Sequence, residues 1–360
     1  MRTIIEEEIK IKAELPKKDV NRKMPIFYNP LMESNRNISI LLLNSVTNKN
    51  MKIADPLAGS GIRSLRFLKE LKKGKIKELF VNDLKDNFEL NFTENLTINK
   101  INNNEKIKIS NQEATLFLLT QEGFDYIDLD PFGTPNPFLS SAIARISRKG
   151  ILAVTATDTA ALTGTYLKVT KRKYWSASLK NYLMHETGLR ILIRKVQLQG
   201  IQFDKALTPI LSYHKDHYFR IYFKSEKGKE KCDQLIKQHQ YLLFNPKTSE
   251  FEISDYNRKE GYQFAGPLWT GKLFDSKLIC KIVKENKFKE EEKFLNMLKE
   301  ESKLDFPFFY DLHTLAKIYK FALPRQEQFL KKIKAVKTHF SPTGFKSELS
   351  VQEIIKKLIK

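Results

Sequence analysis

A chain of 360 residues is long enough to bury a large core and to form two domains. Its 63 Lys and Arg against 42 Asp and Glu leave a formal net charge of +21, a surplus that points to a polyanionic partner, nucleic acid first. Only two cysteines, Cys232 and Cys280, and an acid-rich start (Met1 to Glu8) argue against a disulfide scaffold, a cysteine zinc cluster and a signal peptide. No apolar run approaches the ~18 residues needed to cross a bilayer, so a cytoplasmic location is expected.

Residues 1–23 alternate charged and aliphatic side chains and suit an edge hairpin. Pro25-Ile26-Phe27-Tyr28-Asn29-Pro30 follows; its prolines hold the segment extended, so Phe27 and Tyr28 either face a site or pack the loop down. Asn35-Arg36-Asn37 leads into the apolar helix Ile38 to Leu43. The helix dipole disfavours Arg36 at that end, which points to an anionic partner. Met51 to Asp55 then reads as a strand running into Pro56-Leu57-Ala58-Gly59-Ser60-Gly61. Ile62, Leu65, Leu68 and Leu71 continue at near-helical spacing. Strand, glycine turn and helix make the first unit of a Rossmann-like site. Ser64 stands where a third glycine would complete the dinucleotide fingerprint.

The next strand ends at Asp83, 22 residues after Gly61, where an acid serves ribose hydroxyls or caps the following helix. Lys106 to Ile109 leads to Asn111-Gln112-Glu113-Ala114, the third strand end. Phe124-Asp125-Tyr126-Ile127 is a buried strand opening onto Asp128-Leu129-Asp130-Pro131-Phe132-Gly133. Ligands in open α/β sheets bind at the carboxyl ends of strands, so Asp130 is expected at a pocket mouth. An acid, a stiff turn and the Phe132 ring together suit a planar base bearing an exocyclic amine; a loop acid beside a core phenylalanine is the plainer reading. A helix over 138–147 and a strand over 151–157 follow, and the alternation across 50–160 predicts a parallel sheet.

Further on, 189–196 reads as a helix, and 209–213 and 218–223 as paired strands with His214 and His217 at the turn, both read as surface residues. A Lys/Glu-rich boundary falls at 224–235, short strands fill 241–270, and one charged helix is predicted over 275–303. Helices over 311–321 and 325–336 precede Thr338-His339-Phe340-Ser341-Pro342-Thr343-Gly344. Helix–turn–helix plus a turn suggests a winged-helix-like module. Residues 331–360 carry eight lysines against two acids.

Seven of these stretches occur in the same order in one family: Phe27-Tyr28-Asn29-Pro30, Asn35-Arg36-Asn37, Ala58 to Arg66, Val81-Asn82-Asp83, Asp128 to Gly133, Thr155 to Asp158 and Thr338 to Gly344. The chain resembles the archaeal and eukaryotic tRNA (guanine-N2)-dimethyltransferases, which act on guanosine 26. The resemblance implies a Rossmann-like class I S-adenosylmethionine-dependent methyltransferase domain over 1–225. It also implies a C-terminal α+β tRNA-binding domain over 226–360; no obligate protein partner is evident in the sequence. By it, Arg36, Arg63, Arg66, Asp83, Glu113 and Ala114 line the methyl-donor site, Asp130 is the catalytic acid, and Phe27 and Phe132 sandwich the base. Many relatives carry a cysteine zinc knuckle; Phe244 to Glu250 has no cysteine, so no structural zinc is expected. An adenine-N6 nucleic-acid methyltransferase, a catalytically silent tRNA-binding protein and an NAD dehydrogenase remain the rival readings.

Overall fold

The computed structural model describes residues 2–13 and 28–359, so Phe27 lies outside the described residues. Two compact units emerge. The first comprises Met1–Thr157 with Tyr222–Lys227 and Lys284–Glu291; the second comprises Asp158–Ile221, Gly228–Val283 and Glu292–Lys360. They are discontinuous in sequence, because short returning segments complete the first.

In the first unit the alternating N-terminus forms an antiparallel hairpin, β1 (Arg2–Glu6) and β2 (Ile9–Ala13), with Ile9, Ile11 and Ala13 buried. Helix α1 (Glu33–Ser45) follows. Strands and helices then alternate: β3 (Met51–Asp55), α2 (Ile62–Glu70), β4 (Ile76–Asn82), α3 (Phe88–Ile98), β5 (Ile107–Ser110), α4 (Ala114–Leu119), β6 (Phe124–Leu129), α5 (Asn136–Arg145) and β7 (Ile146–Ala156). The strands pair in parallel in the order β5-β4-β3-β6-β7. Ile53, Ala54, Val81, Ile127, Leu129, Leu152 and Val154 are fully buried, as expected of a parallel sheet covered on both faces. The chain runs one way from β3 through β4 and β5, and the other way through β6 and β7. The switch point therefore lies between β3 and β6, whose carboxyl ends carry Asp55 and Asp128–Asp130.

The second unit begins with α6 (Thr159–Leu162), α7 (Leu167–Tyr174), α8 (Met184–Ile201) and β8 (Lys205–Lys215). Strand β9 (Tyr218–Lys227) lends Tyr222–Lys227 to the first unit, beside β7. After α9 (Lys229–Ile236), strands β10 (His239–Phe244), β11 (Phe251–Ser254) and β12 (Gln263–Trp269) form an antiparallel sheet in the order β11-β10-β12.

The single helix expected over 275–303 is instead α10 (Ser276–Lys284), a short 3-10 turn (Lys289–Glu291) and α11 (Glu292–Glu301). Asn286 causes the break: its side chain accepts from Phe288 N at 3.1 Å and donates to Phe288 O at 3.0 Å, turning the chain so that Phe288 is buried.

The last elements are β13 (Tyr310–Asp311), α12 (Leu312–Tyr319), α13 (Gln326–Ile333), β14 (Val336–Lys337), β15 (Gly344–Lys346) and α14 (Val351–Ile359), with the sheet order β13-β15-β14. Phe329 and Ile333 face a core with Leu315, Phe345 and Ile354. Lys334 adopts φ 53° and ends α13, so Val336, inside the helix expected over 325–336, is a strand residue instead. The turn of the winged-helix-like module, Thr338 to Gly344, is tied to Glu301. His339 Nδ1 meets Glu301 Oε2 at 2.6 Å, and Thr338 Oγ1 donates to Glu301 Oε1 at 2.7 Å. Lys346, one of the eight lysines of the basic tail, is fully buried between Glu186 (3.7 Å) and Glu301 (3.5 Å). His214 is not a surface residue: its ring stacks on His185 at 4.0 Å, and burial lowers it to about 3.

Candidate active site

The loop after β3 is built for close approach. Gly59 and Gly61 both have positive φ, 58° and 74°, where a side chain is strained. At Gly61 a Cβ would also stand 2.2 Å from Phe92 Cδ2. Gly59 N donates to Asp83 Oδ2 at 2.7 Å, and Lys85 N donates to Oδ1 at 3.0 Å, so the acid ending β4 fastens the loop and its own turn. Burial raises Asp83 above the usual carboxylate range, against these backbone donors. Glu113 is exposed and caps α4 by accepting from Leu116 N at 2.9 Å; Ala114 beside it is buried.

Arg63, in the first turn of α2, reaches across the switch point. Nη2 donates to Asp130 Oδ2 at 2.5 Å, Nη1 to Ser39 Oγ at 3.1 Å, and Nη1 lies 3.3 Å from Asp128 Oδ2. Tyr126 OH holds Asp128 at 2.6 Å, and Tyr222 OH meets Ser39 Oγ at 2.8 Å. Asp55 completes the acid group; Ser64 Oγ donates to it at 2.8 Å. Burial raises Asp55 to about 7, with Arg63 opposing and Asp128 and Asp130 adding to the rise. Beyond Asp130, Pro131 is buried and Gly133 turns at φ 78°. Gly133 N donates to Thr157 Oγ1 at 2.8 Å, and Thr157 N to Gly133 O at 2.9 Å, which clamps this turn to the end of β7 and leaves Phe132 part-exposed.

Arg36 and Arg66 have a different environment. Arg36 pairs with Glu6 of the hairpin; Arg66 pairs with Glu6 at 2.9 Å and Glu70 at 2.6 Å, all four buried. The anion that Arg36 called for is thus supplied within the chain. Its neighbours Asn35 and Asn37 turn elsewhere: Asn35 donates to Thr155 Oγ1 at 3.3 Å, Asn37 to Glu290 Oε1 at 2.9 Å.

The structure therefore groups Arg63 with Asp130, ties Asp83 to the glycine loop, and sets Arg36 and Arg66 in a separate charge lattice. Sequence reasoning passed over Asp55, Ser39, Tyr222 and Glu6. Asp55 was within reach, since it ends its strand as Asp130 follows β6; the others lie far away in sequence.

A purine-nucleoside methyl donor fits this site. The carboxylate of Asp83 and the glycine turn after β3 lie side by side, joined through Gly59 N. Ser60 Oγ in the loop and Asn35 Oδ1 are buried without a hydrogen-bond partner among the described residues, polar valences left over at the strand tips.

The strand order, the glycine turn after β3 and the acid ending β4 define a class I S-adenosylmethionine-dependent methyltransferase fold. The chain belongs to the N2,N2-dimethylguanosine tRNA methyltransferase family, whose model it matches over residues 3–359. It is 40% identical to the tRNA (guanine(26)-N(2)/guanine(27)-N(2))-dimethyltransferase of Aquifex aeolicus, over 97% of this chain and 93% of that protein. It is 36% identical to the tRNA (guanine(26)-N(2))-dimethyltransferase of Pyrococcus furiosus, over 98% and 97%. The solved complex of Trm1 from Pyrococcus horikoshii with S-adenosyl-L-methionine superimposes with a TM-score of 0.90 at 32% identity, covering 99% of this chain and 100% of that one.

Proposed function

We propose that this protein transfers one or two methyl groups from S-adenosylmethionine to the exocyclic N2 of guanosine 26 in tRNA. The observation that carries this is Asp130 at the switch point, with Oδ2 held by Arg63 at 2.5 Å and the side chain still 17% exposed. When bound, the donor supplies an electrophilic methyl group. The guanine amine is a weak nucleophile because its lone pair is delocalised into the ring. Asp130 accepts hydrogen bonds from the amine and the ring N1–H, steadying the positive charge that builds as nitrogen is alkylated, and it stands ready to take the proton that leaves. Phe132 is assigned to one face of the base and Phe27 to the other. A base inside the tRNA core must flip out to reach them. Asp83 is assigned to the donor ribose, with Glu113 and Ala114 at the adenine edge. Arg63 orients the catalytic acid; Arg36 and Arg66, expected at the donor, are paired with Glu6 and Glu70.

In this reading residues 1–225 serve the donor and the base, while 226–360 grip tRNA, with Lys331, Lys332, Lys334 and Lys337 exposed on α13 and just beyond it. No helix among the described residues is long and apolar enough to cross a membrane. On the proposed reading the enzyme is cytoplasmic and acts on tRNA without an obligate protein partner.

The test is nucleoside mass spectrometry of tRNA incubated with protein and donor. N2-methyl- and N2,N2-dimethylguanosine are expected, and they should disappear when guanosine 26 is replaced by adenosine. N6-methyladenosine in their place overturns the reading, and methylation that persists at guanosine 27 widens it. Asp130→Ala should lower the rate by roughly 10²–10³; a rate within threefold of wild type refutes the role of Asp130.

A further inference from the structure

Between Asp158 and Glu186 the chain has five basic residues (Lys168, Lys171, Arg172, Lys173 and Lys180) and no acid. Helix α7 lies in the middle of this stretch. Lys168, Lys171 and Arg172 fall at i, i+3 and i+4, so they share one face, and all three are exposed. Among the described residues none of the three has an ion pair. Lys171 and Arg172 stand in the last turn of α7, where the helix dipole favours cations, and with Lys168 they present three charges to solvent on one side. Lys173 and Tyr174 anchor the helix from its other side: Tyr174 OH donates to Asp158 Oδ1 at 2.6 Å, and Lys173 lies 3.4 Å from Oδ2.

Trp175 ends the helix at φ 54°, the left-handed cap that Lys320 and Lys334 also adopt at their helix ends. Two cations of α8 hold it there. Lys195 Nζ sits 3.0 Å from the centroid of the indole, and Arg194 Nη1 donates to Trp175 O at 3.3 Å. Burial lowers both cations, Lys195 to about 8. The ring is pinned from beneath and is still 49% exposed; Tyr166, at the other end of the helix, is 59% exposed. A row of unpaired cations that ends in a fixed, half-exposed indole matches the chemistry of a strand of RNA, with phosphates along the helix and a base or ribose on the ring.

We propose that the exposed face of α7 and the indole of Trp175 form a docking surface for an unpaired or opened segment of the tRNA substrate. This rests on the reading of the protein as a tRNA methyltransferase and gives that activity a second foothold, separate from the basic residues of the C-terminal module.

Filter binding of tRNA across a salt series tests it, with three variants: Lys168→Ala/Lys171→Ala/Arg172→Ala, Trp175→Ala, and the charge-matched control Lys277→Ala/Lys281→Ala/Lys293→Ala. The α7 triple variant should lower the slope of log affinity against log salt by about two, because each phosphate contact contributes about 0.7–0.9. The control should change it far less. Trp175→Ala should weaken tRNA binding roughly five- to hundredfold, and Trp175→Phe should recover most of the loss. Calorimetry with S-adenosylhomocysteine should be the same for all, which shows that each variant is folded. Equal salt slopes in the α7 variant and the control, or a Trp175→Phe variant no better than Trp175→Ala, overturn the surface. Wild-type protein that binds tRNA without methylating it overturns the proposed activity and leaves the surface standing; wild type that does not bind tRNA overturns both.

Discussion

Asp55 should store a proton at neutral pH, and Asp55→Asn measures it. The side chain is 2% exposed, accepts from Ser64 and sits near two other acids around the single guanidinium of Arg63. Its rise from the ordinary 3.8 to about 7 is roughly 3 pH units, or on the order of 4 kcal/mol at 1.36 kcal/mol per unit. Folding therefore takes up a proton. The neutral carboxyl is fully accommodated below 3.8, and stability falls as the pH rises through 7, where the buried group must ionise. Asparagine keeps an acceptor for Ser64 and never ionises. Urea unfolding followed by circular dichroism between about pH 5 and pH 8 should show wild type losing roughly 2–3 kcal/mol more than the variant over that range. Parallel pH profiles for the two proteins would refute the buried proton and with it the description of the site as three acids around one cation.

Three further outcomes follow from the geometry. Asp83→Ala should weaken S-adenosylhomocysteine binding by roughly 2–3 kcal/mol in calorimetry if, as proposed, Asp83 accepts from the donor ribose, and the change also unfastens Gly59 N; unchanged affinity places the donor elsewhere. Gly61→Ala, with its Cβ driven onto Phe92 at positive φ, should lower both Tm and donor affinity. Shortening the ring with Phe92→Leu should restore part of the loss, and a Gly61→Ala protein as stable as wild type would show that the loop is free to move. His214, held neutral by burial and by neighbouring histidines, binds its proton more weakly folded than unfolded. Stability should thus be lost as the pH falls from 6.5 toward 3, and His214→Phe should flatten that acid limb in thermal melts.

The parts of the site that were legible in sequence are those encoded locally. A strand, a glycine turn and a helix at 51–71, an acid closing β4 and a carboxylate following β6 each declare themselves within a dozen residues, because side-chain period and turn chemistry are short-range signals. Charge pairing is not. Arg36 and Arg66 look like ligand-seeking cations until Glu6, 30 and 60 residues away, is brought between them. Lys346 counts toward a basic tail until folding sets it between Glu186 and Glu301. The charged run at 275–303 reads as one helix because periodicity is blind to an asparagine that bonds the backbone two residues on. The basic face of α7 was available to simple counting, in 27 consecutive residues without an acid, and was obscured by the larger surplus at the C-terminus.

The hairpin at the start of the chain restricts how these proteins can vary. Glu6 sits with Arg36, Arg66 and Glu70 in a lattice that water hardly reaches. Changing any one member strands a buried charge at a cost of about 3–5 kcal/mol, whereas exchanging members together need not. Substitutions at these four positions should therefore appear in family sequences as correlated sets. For expression, trimming the first dozen residues would remove the counter-ion of two internal arginines, so a shortened chain should be tested with both of them replaced by methionine or glutamine.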